Sequence, residues 1–205
     1  MSGDDAADLE QVREQAAGCR NCDLWQNATQ TVFGEGPVPA RVMMMGEQPG
    51  DQEDRAGRPF VGPAGRVLDE ALERAGIVRS EVYVTNAVKH FKWTPRGKRR
   101  IHQTPNQIEI TACSPWFAAE LRAVTPRVLV LLGAVAAKSV FGSGFRVTRD
   151  RGKPFEGPEG TTAIATYHPS AVLRTNPEER EARMSELVAD LKVVAGLLRD
   201  RRSRS

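Results

Sequence analysis

Four short runs of this chain are apolar at nearly every position: "ARVMMMG" (40–46), "VYVTNAV" (82–88), "RVLVLLG" (127–133) and "TTAIATYHPS" (161–170, the strand ending at His168). A strand with one face in water alternates apolar and polar residues. These runs do not alternate, so each must be covered on both faces. The segments between them read as helices. Residues 8–18 form a short one, and Val67, Leu68, Ala71, Leu72 and Ala75 fall at helical spacing over 64–75 with Gly76 as the stop. Further helices are expected over 106–122, through Ala134–Val140, and over 177–199 with Leu187, Leu191, Val194 and Leu198 facing inward. Strands alternating with helices predict an α/β fold, a three-layer α/β/α arrangement around a central four-stranded parallel sheet. Ligands in such sheets bind outside the carboxyl ends of the strands. The loops "GEQPG", "TNAVKH" and "YHPS" all leave strands at that end, which predicts one crevice.

The chain has 205 residues, 40% of them hydrophobic and 27% charged, which suits one globular domain over 1–198. Its net charge of +3 does not by itself argue for nucleic acid. The cations cluster instead, at "PRGKRR" (95–100), "RVTRDRGK" (146–153) and a basic tail over 199–205 that is expected to be disordered. Nothing in the sequence is long and apolar enough for a membrane span, and the acidic start "MSGDDAADLE" is not a signal peptide. A cytoplasmic location is therefore expected, and three cysteines there do not suggest a disulfide framework.

Cys19-x-x-Cys22 is a two-ligand hook, and Cys113 is the one remaining cysteine. A four-ligand site would need His, Asp or Glu as its fourth member, and His90 lies just beyond the second apolar run. Spacing alone leaves three readings open: a chance pair with Cys113 as a core residue, a zinc site, or an iron–sulfur cluster. The loop "EQPGDQEDRAGRPFVGPAG" (47–65) is long for a compact domain, a length usually tied to function. A second unusual loop reads "KHFKWTPRGKRRIHQTP" and places His102, one of only three histidines, directly after Lys98, Arg99, Arg100 and Ile101.

Taken in order, "GEQPGDQEDRAGRPFVGPAGRVLD", "VYVTNAVKH" and "YHPSAVLR" resemble the uracil-DNA glycosylase superfamily, in particular its iron–sulfur family 4 branch. The resemblance runs from about Cys19 to the last helix. Two features depart from ordinary family 4: a histidine, His90, where a cluster cysteine is expected, and the insertion carrying "KRRIH". Both match the UdgX branch, whose members cross-link to uracil-containing DNA through the histidine of that loop. The resemblance implies a uracil-DNA glycosylase-like fold and a structural 4Fe–4S cluster on Cys19, Cys22, His90 and Cys113. The expected partner is uracil-containing DNA, single-stranded by preference, with free uracil as product and the protein acting as a monomer.

Excision of uracil needs a pocket for the extruded base, a donor for charge on the leaving uracil, and a carboxylate for the cationic C1′. The resemblance assigns Phe60 to stacking on the base and Asn86 to its N3–H and O4. A carboxamide there excludes cytosine, whose donor and acceptor are reversed. His168 is assigned as donor to uracil O2, Ser170 to a phosphate, Gln48 to uracil through main chain or side chain, Arg174 to support of the loop or DNA, and Glu47 to C1′. A neutral imidazole is a competent nucleophile near pH 7, so His102 can take the place of the attacking water, with Glu47 accepting the proton of the other ring nitrogen. Lys98, Arg99 and Arg100 are then expected to hold the loop on phosphates without reading sequence. The competing readings are a turnover family 4-like glycosylase that releases uracil and an abasic site, and a non-catalytic iron–sulfur DNA-binding protein.

Overall fold

The computed structural model describes residues 4–199, so six residues of the expected basic tail, 200–205, lie outside the described part. In chain order the elements are α1 (Asp4–Ala17), β1 (Val42–Gly46), α2 (Asp51–Ala56), α3 (Pro63–Ala75), β2 (Val82–Asn86), β3 (Trp93–Arg96), β4 (Arg99–His102), α4 (Gln107–Val124), β5 (Val128–Leu132), α5 (Ala134–Phe141), α6 (Val147–Asp150), β6 (Pro154–Glu156), β7 (Thr162–Thr166), α7 (Pro169–Arg174) and α8 (Pro177–Arg199). The main sheet has the order β2-β1-β5-β7-β6. Its first four strands run parallel, and β6 pairs antiparallel with β7.

The four expected strands are therefore all present, and a fifth, short edge strand joins them. Its sequence, "PFE", is three residues long and starts on proline, too short for an alternation signal. The fourth run also stops earlier than expected. The strand ends at Thr166, and His168 caps the helix α7 instead of closing β7.

Alternate side chains of each central strand enter different cores. Val42 and Met44 of β1, with Val128, Val130 and Leu132 of β5, pack on one face against α3, α7 and α8. Met43 and Met45, with Leu129 and Leu131, pack on the other face against α1, α4 and α5. This accounts for the unbroken apolar runs, since every residue of β1, β2 and β5 is buried. Helix α4 carries Pro115 in its interior and starts on a capping box, with Asn106 Oδ1 accepting from Glu109 N and Glu109 reaching back to Asn106 N.

The long loop after β1 is not structureless. It contains α2, and the buried Glu53 carboxylate gathers the loop by accepting from Gly50 N at 3.1 Å and Gly62 N at 2.7 Å. The "KRRIH" loop is likewise an antiparallel hairpin, β3–β4, pairing Trp93 with His102 and Pro95 with Arg100. Alternation is too brief there to have announced strands. No helix among the described residues is long and apolar enough to cross a membrane.

Candidate active site

The carboxyl ends of β1 and β2 meet at Gly46 and Asn86, which are register partners. A Cβ placed on Gly46 would lie 2.5 Å from Asn86 Oδ1, 2.8 Å from Phe60 Cζ and 3.5 Å from His168 Nε2. Three side chains assigned from sequence thus converge on one point, and the space between them exists because residue 46 has no side chain. The Phe60 and His168 rings stack, with centroids 6.2 Å apart and an interplanar angle of 28°. Phe60 adopts φ 56, unusual for an aromatic residue, and its carbonyl backs onto Gly65, where a Cβ would overlap it. Strain of about 1–3 kcal/mol is typical of such a backbone and is tolerated where the surroundings hold it.

His168 has a defined tautomer. Ser170 N–H donates to its Nδ1 at 3.1 Å, and a main-chain N–H cannot act otherwise. Arg174 Nη1 donates to Ser170 Oγ at 2.8 Å, so the Ser170 hydroxyl proton is free to point to Nδ1, 2.8 Å away. Nδ1 is an acceptor twice over, and Nε2 carries the proton toward the pocket. Burial, then the charges of Arg174 and His102, push the His168 pKa down to about 4. Ser170 and Arg174, expected at a phosphate and at the loop or DNA, are thus also the chain of bonds that orients His168.

Glu47 follows Gly46 directly. Its Oε1 is buried, makes no hydrogen bond among the described residues, and lies 3.4 Å from His102 Nε2. This separation is within ion-pair reach but lacks hydrogen-bond geometry. Burial raises the Glu47 pKa, and Arg174 opposes the rise. Burial also lowers the His102 pKa, with Arg174 adding to the effect, so the ring is held toward its neutral form.

The hairpin that presents His102 is fastened at its base and along its inner side. Gln48 Nε2 donates to Lys92 O at 3.2 Å and Gln103 O at 3.0 Å, while its Oε1 accepts from Lys92 N at 3.1 Å. The Gln48 side chain is therefore spent on the hairpin, and of the two expected routes to uracil only its main chain is left. Arg100 departs from its expected place on phosphates. It does not face outward with Lys98 and Arg99, because its guanidinium bonds Asp51 and Asp54 and lies 5.3 Å from the Phe91 ring centroid and 5.4 Å from that of Trp93. Strand alternation accounts for it. Arg99 and Arg100 are adjacent in β4 and must point to opposite faces. Lys98 and Arg99 are exposed at the turn.

The expected metal ligands occupy a separate corner beside α4. Cys19, Cys22 and Cys113 are free thiols, Cys19 and Cys113 buried. Trp116 Nε1 donates to Cys19 Sγ at 3.2 Å and Lys89 N to Cys113 Sγ at 3.4 Å. His90 is buried, with Nε2 3.0 Å from Thr31 Oγ1. Thr31 spends its single hydroxyl proton on Ala16 O at 2.9 Å, so it accepts from Nε2–H. That leaves His90 Nδ1 as a buried lone pair with no partner, the state of a ligand nitrogen. Among the described residues, no three His, Cys, Asp or Glu side chains converge where one metal ion could sit.

Sequence reading missed Lys89 and Glu120, both fully buried and joined at 2.5 Å, and Asp54, fully buried under Arg100. Charged residues carry no apolar periodicity, so only their partners in space reveal them.

His168 supplies a stability prediction. Its pKa is depressed in the folded state, so between about pH 6.5 and about 4 the unfolded chain binds a proton that the folded chain does not. The contribution is complete above that window and falls as pH drops through it, by about 1.4 kcal/mol per pH unit. Urea unfolding from pH 7 to 4.5 should show a steeper loss for the wild type than for His168→Gln.

The model of the uracil DNA glycosylase superfamily matches residues 33–192. The chain is 40% identical over 172 residues to the type-4 uracil-DNA glycosylase of Thermotoga maritima, covering 83% of this chain and 86% of that protein. It is 35% identical over 196 residues to the type-4 uracil-DNA glycosylase of Archaeoglobus fulgidus, covering 92% of each. A type-5 uracil-DNA glycosylase of Pyrobaculum aerophilum is 30% identical over 178 residues, 79% of this chain and 75% of that protein. With Glu47, Asn86 and His168 gathered at one sheet end and matches of this extent, the chain belongs to the uracil DNA glycosylase superfamily.

Proposed function

We propose that this protein excises uracil from DNA and is then bonded through His102 to C1′ of the sugar left behind. The observation that carries the reading is His102 Nε2 at 3.4 Å from Glu47 Oε1, an oxygen with no other partner. In a turnover glycosylase, water occupies the space in front of that carboxylate. Here a fastened hairpin fills it with an imidazole held neutral by burial.

Phe60 stacks on the flipped base and the Asn86 carboxamide pairs with its N3–H and O4. As the C1′–N1 bond breaks, its electron pair leaves on uracil, and His168 Nε2–H donates to O2 where the charge collects. Ionised Glu47 faces the cationic C1′. A ring nitrogen of His102 gives its lone pair to C1′, forming the new bond, and the proton released from the ring passes by way of Glu47 to balance the uracil anion. The product is a neutral N-glycosyl imidazole with a poor leaving group. Lys98 and Arg99 at the exposed turn contact phosphates, and single-stranded DNA is the preferred form because its base is already unpaired.

A 4Fe–4S cluster fits Cys19, Cys22, Cys113 and His90 Nδ1 better than one zinc ion does. Each ligand of such a cluster binds a different iron, so the donors need not converge on a point. The cluster would staple the segment after α1 to α4. Cysteines serving as cluster ligands and not as disulfides suit a cytoplasmic protein, and we take it to act as a monomer.

Three outcomes test this reading. Mixed with uracil-containing single strands, the wild type should give one equivalent of a complex that survives heat and denaturant, with His102 as the modified residue on peptide mapping. His102→Ala should instead release uracil with turnover, and an undiminished cross-link in that variant would sink the proposal. Anaerobically purified protein should contain about four irons per chain, whereas stoichiometric zinc without iron would remove the cluster. Finally, Arg174 lowers the pKa of both Glu47 and His102. The reactive pair is ionised Glu47 with neutral His102, and both are lost as pH falls. Arg174→Gln should therefore move the acid limb of adduct formation to higher pH, and Arg174→Lys should restore it.

A further inference from the structure

We infer that Lys89 is a positioning residue for base recognition, its buried ammonium holding the main chain of Asn86 and tying it, through Glu120 and Cys113, to α4. The inference rests on Asn86 reading the base, as proposed above.

Lys89 has no exposed side-chain surface, and all three of its ammonium protons are accounted for. Nζ donates to Asn86 O at 2.8 Å, Thr85 Oγ1 at 2.6 Å and Glu120 Oε2 at 2.5 Å. Glu120 is equally occupied. Its Oε1 accepts from Gly34 N at 2.8 Å and Tyr83 OH at 3.1 Å, and Thr85 gives its own hydroxyl proton to Oε2 at 2.8 Å. A buried charge pair is stable only when its remaining hydrogen-bonding positions are filled, and here they are.

The placement of this pair gives it a role beyond packing. After Asn86 the chain has no helix or strand to hold it, since residues 87–90 are bends. Four consecutive residues are pinned individually instead. Ala87 N donates to Gly46 O at 2.9 Å, Val88 N to Glu47 O at 3.0 Å and Lys89 N to Cys113 Sγ at 3.4 Å, while His90 bonds Thr31. The Asn86 carbonyl is the first link of this segment, and Lys89 Nζ is the group that fixes it on the side away from β1. Cys113 and Glu120 stand two helical turns apart on α4, and both grip Lys89, one at its amide and one at its ammonium. A shift of α4 against β2 would therefore reach the Asn86 carboxamide through a single residue.

Removing one partner would leave an uncompensated buried charge, so the test removes both. Lys89→Met/Glu120→Gln keeps an acceptor for Gly34 and Tyr83 and a donor for Thr85, and the wholly apolar Lys89→Met/Glu120→Met serves if the first does not fold. The readouts are the half-saturating concentration and the maximal single-turnover rate of uracil release from a uracil-containing single strand, alongside melting temperature and iron content. The expected result is a folded, iron-loaded protein whose half-saturating concentration rises roughly ten- to a hundredfold, the scale of misplacing a recognition group. The decisive measurement is Asn86→Ala in that background. If Lys89 acts through Asn86, the two losses should not add, whereas a merely structural role would give additive losses. Additive losses, or a double variant with wild-type saturation, overturn the inference while leaving the function standing. If Asn86→Ala alone leaves saturation and rate unchanged, the reading of Asn86 fails and this inference fails with it.

Discussion

A sheet covered on both faces has only its ends left to meet a ligand, and this constraint organises the protein. Helices α3, α7 and α8 cover one face, and α1, α4 and α5 the other, so β1, β2 and β5 have no solvent-facing residue. In parallel strands the side chains just past the carboxyl ends project into one crevice. Gly46, Asn86 and the segment after Thr166 reach it from three different strands. Their convergence follows the register of the sheet, because Gly46 and Asn86 form the last rung of one ladder and His168 stands two positions beyond the end of another.

The electrostatics of the crevice follow from the same burial. Desolvation raises the pKa of Glu47 and lowers those of His102 and His168, in each case favouring the neutral form. Arg174, at the outer end of α7, is the one cation that acts on all three. It strengthens the neutral preference of the two imidazoles and opposes that of the carboxylate. One exposed guanidinium therefore drives both members of a carboxylate–histidine pair only 3.4 Å apart toward their deprotonated forms, the carboxylate ionised and the ring neutral.

Much of the framework was legible in the sequence, and the reasons are specific. "RVLVLLG" can be little other than a strand buried on both faces, and the spacing from Val67 to Ala75 fixed α3 to within a residue at its start. Asn86, His168 and Glu47 were recognisable through their neighbours in longer motifs. What escaped notice has no periodicity to betray it. The edge strand β6 is too short, and the hairpin alternates over only four residues a side. The direction of Arg100 depends on a register that "KRRIH" does not contain. The bonds of the Gln48 amide to two carbonyls, of residues 92 and 103 far along the chain, were equally out of reach. Lys89 and Glu120 have no signature of burial in the sequence, and only the fold places them together in the core.

The hairpin enters and leaves the fold at nearly one place. Gln103 N donates to Lys92 O at 2.9 Å, and Gln48 bonds both residues, so the segment Trp93–His102 is a closed flap hung from two adjacent points. Its side-chain anchors, Asp51 and Asp54, both sit on α2 in the neighbouring loop and not in the sheet. The chain could pass from residue 92 to residue 103 with no strand displaced, and closing a loop whose ends already touch adds little entropy cost with length. Gain or loss of the flap therefore leaves every strand pairing of the parallel sheet in place, provided that buried Asp54 changes together with its partner Arg100. Within one unchanged scaffold, evolution or design can exchange what stands before Glu47 by editing a single excursion of the chain.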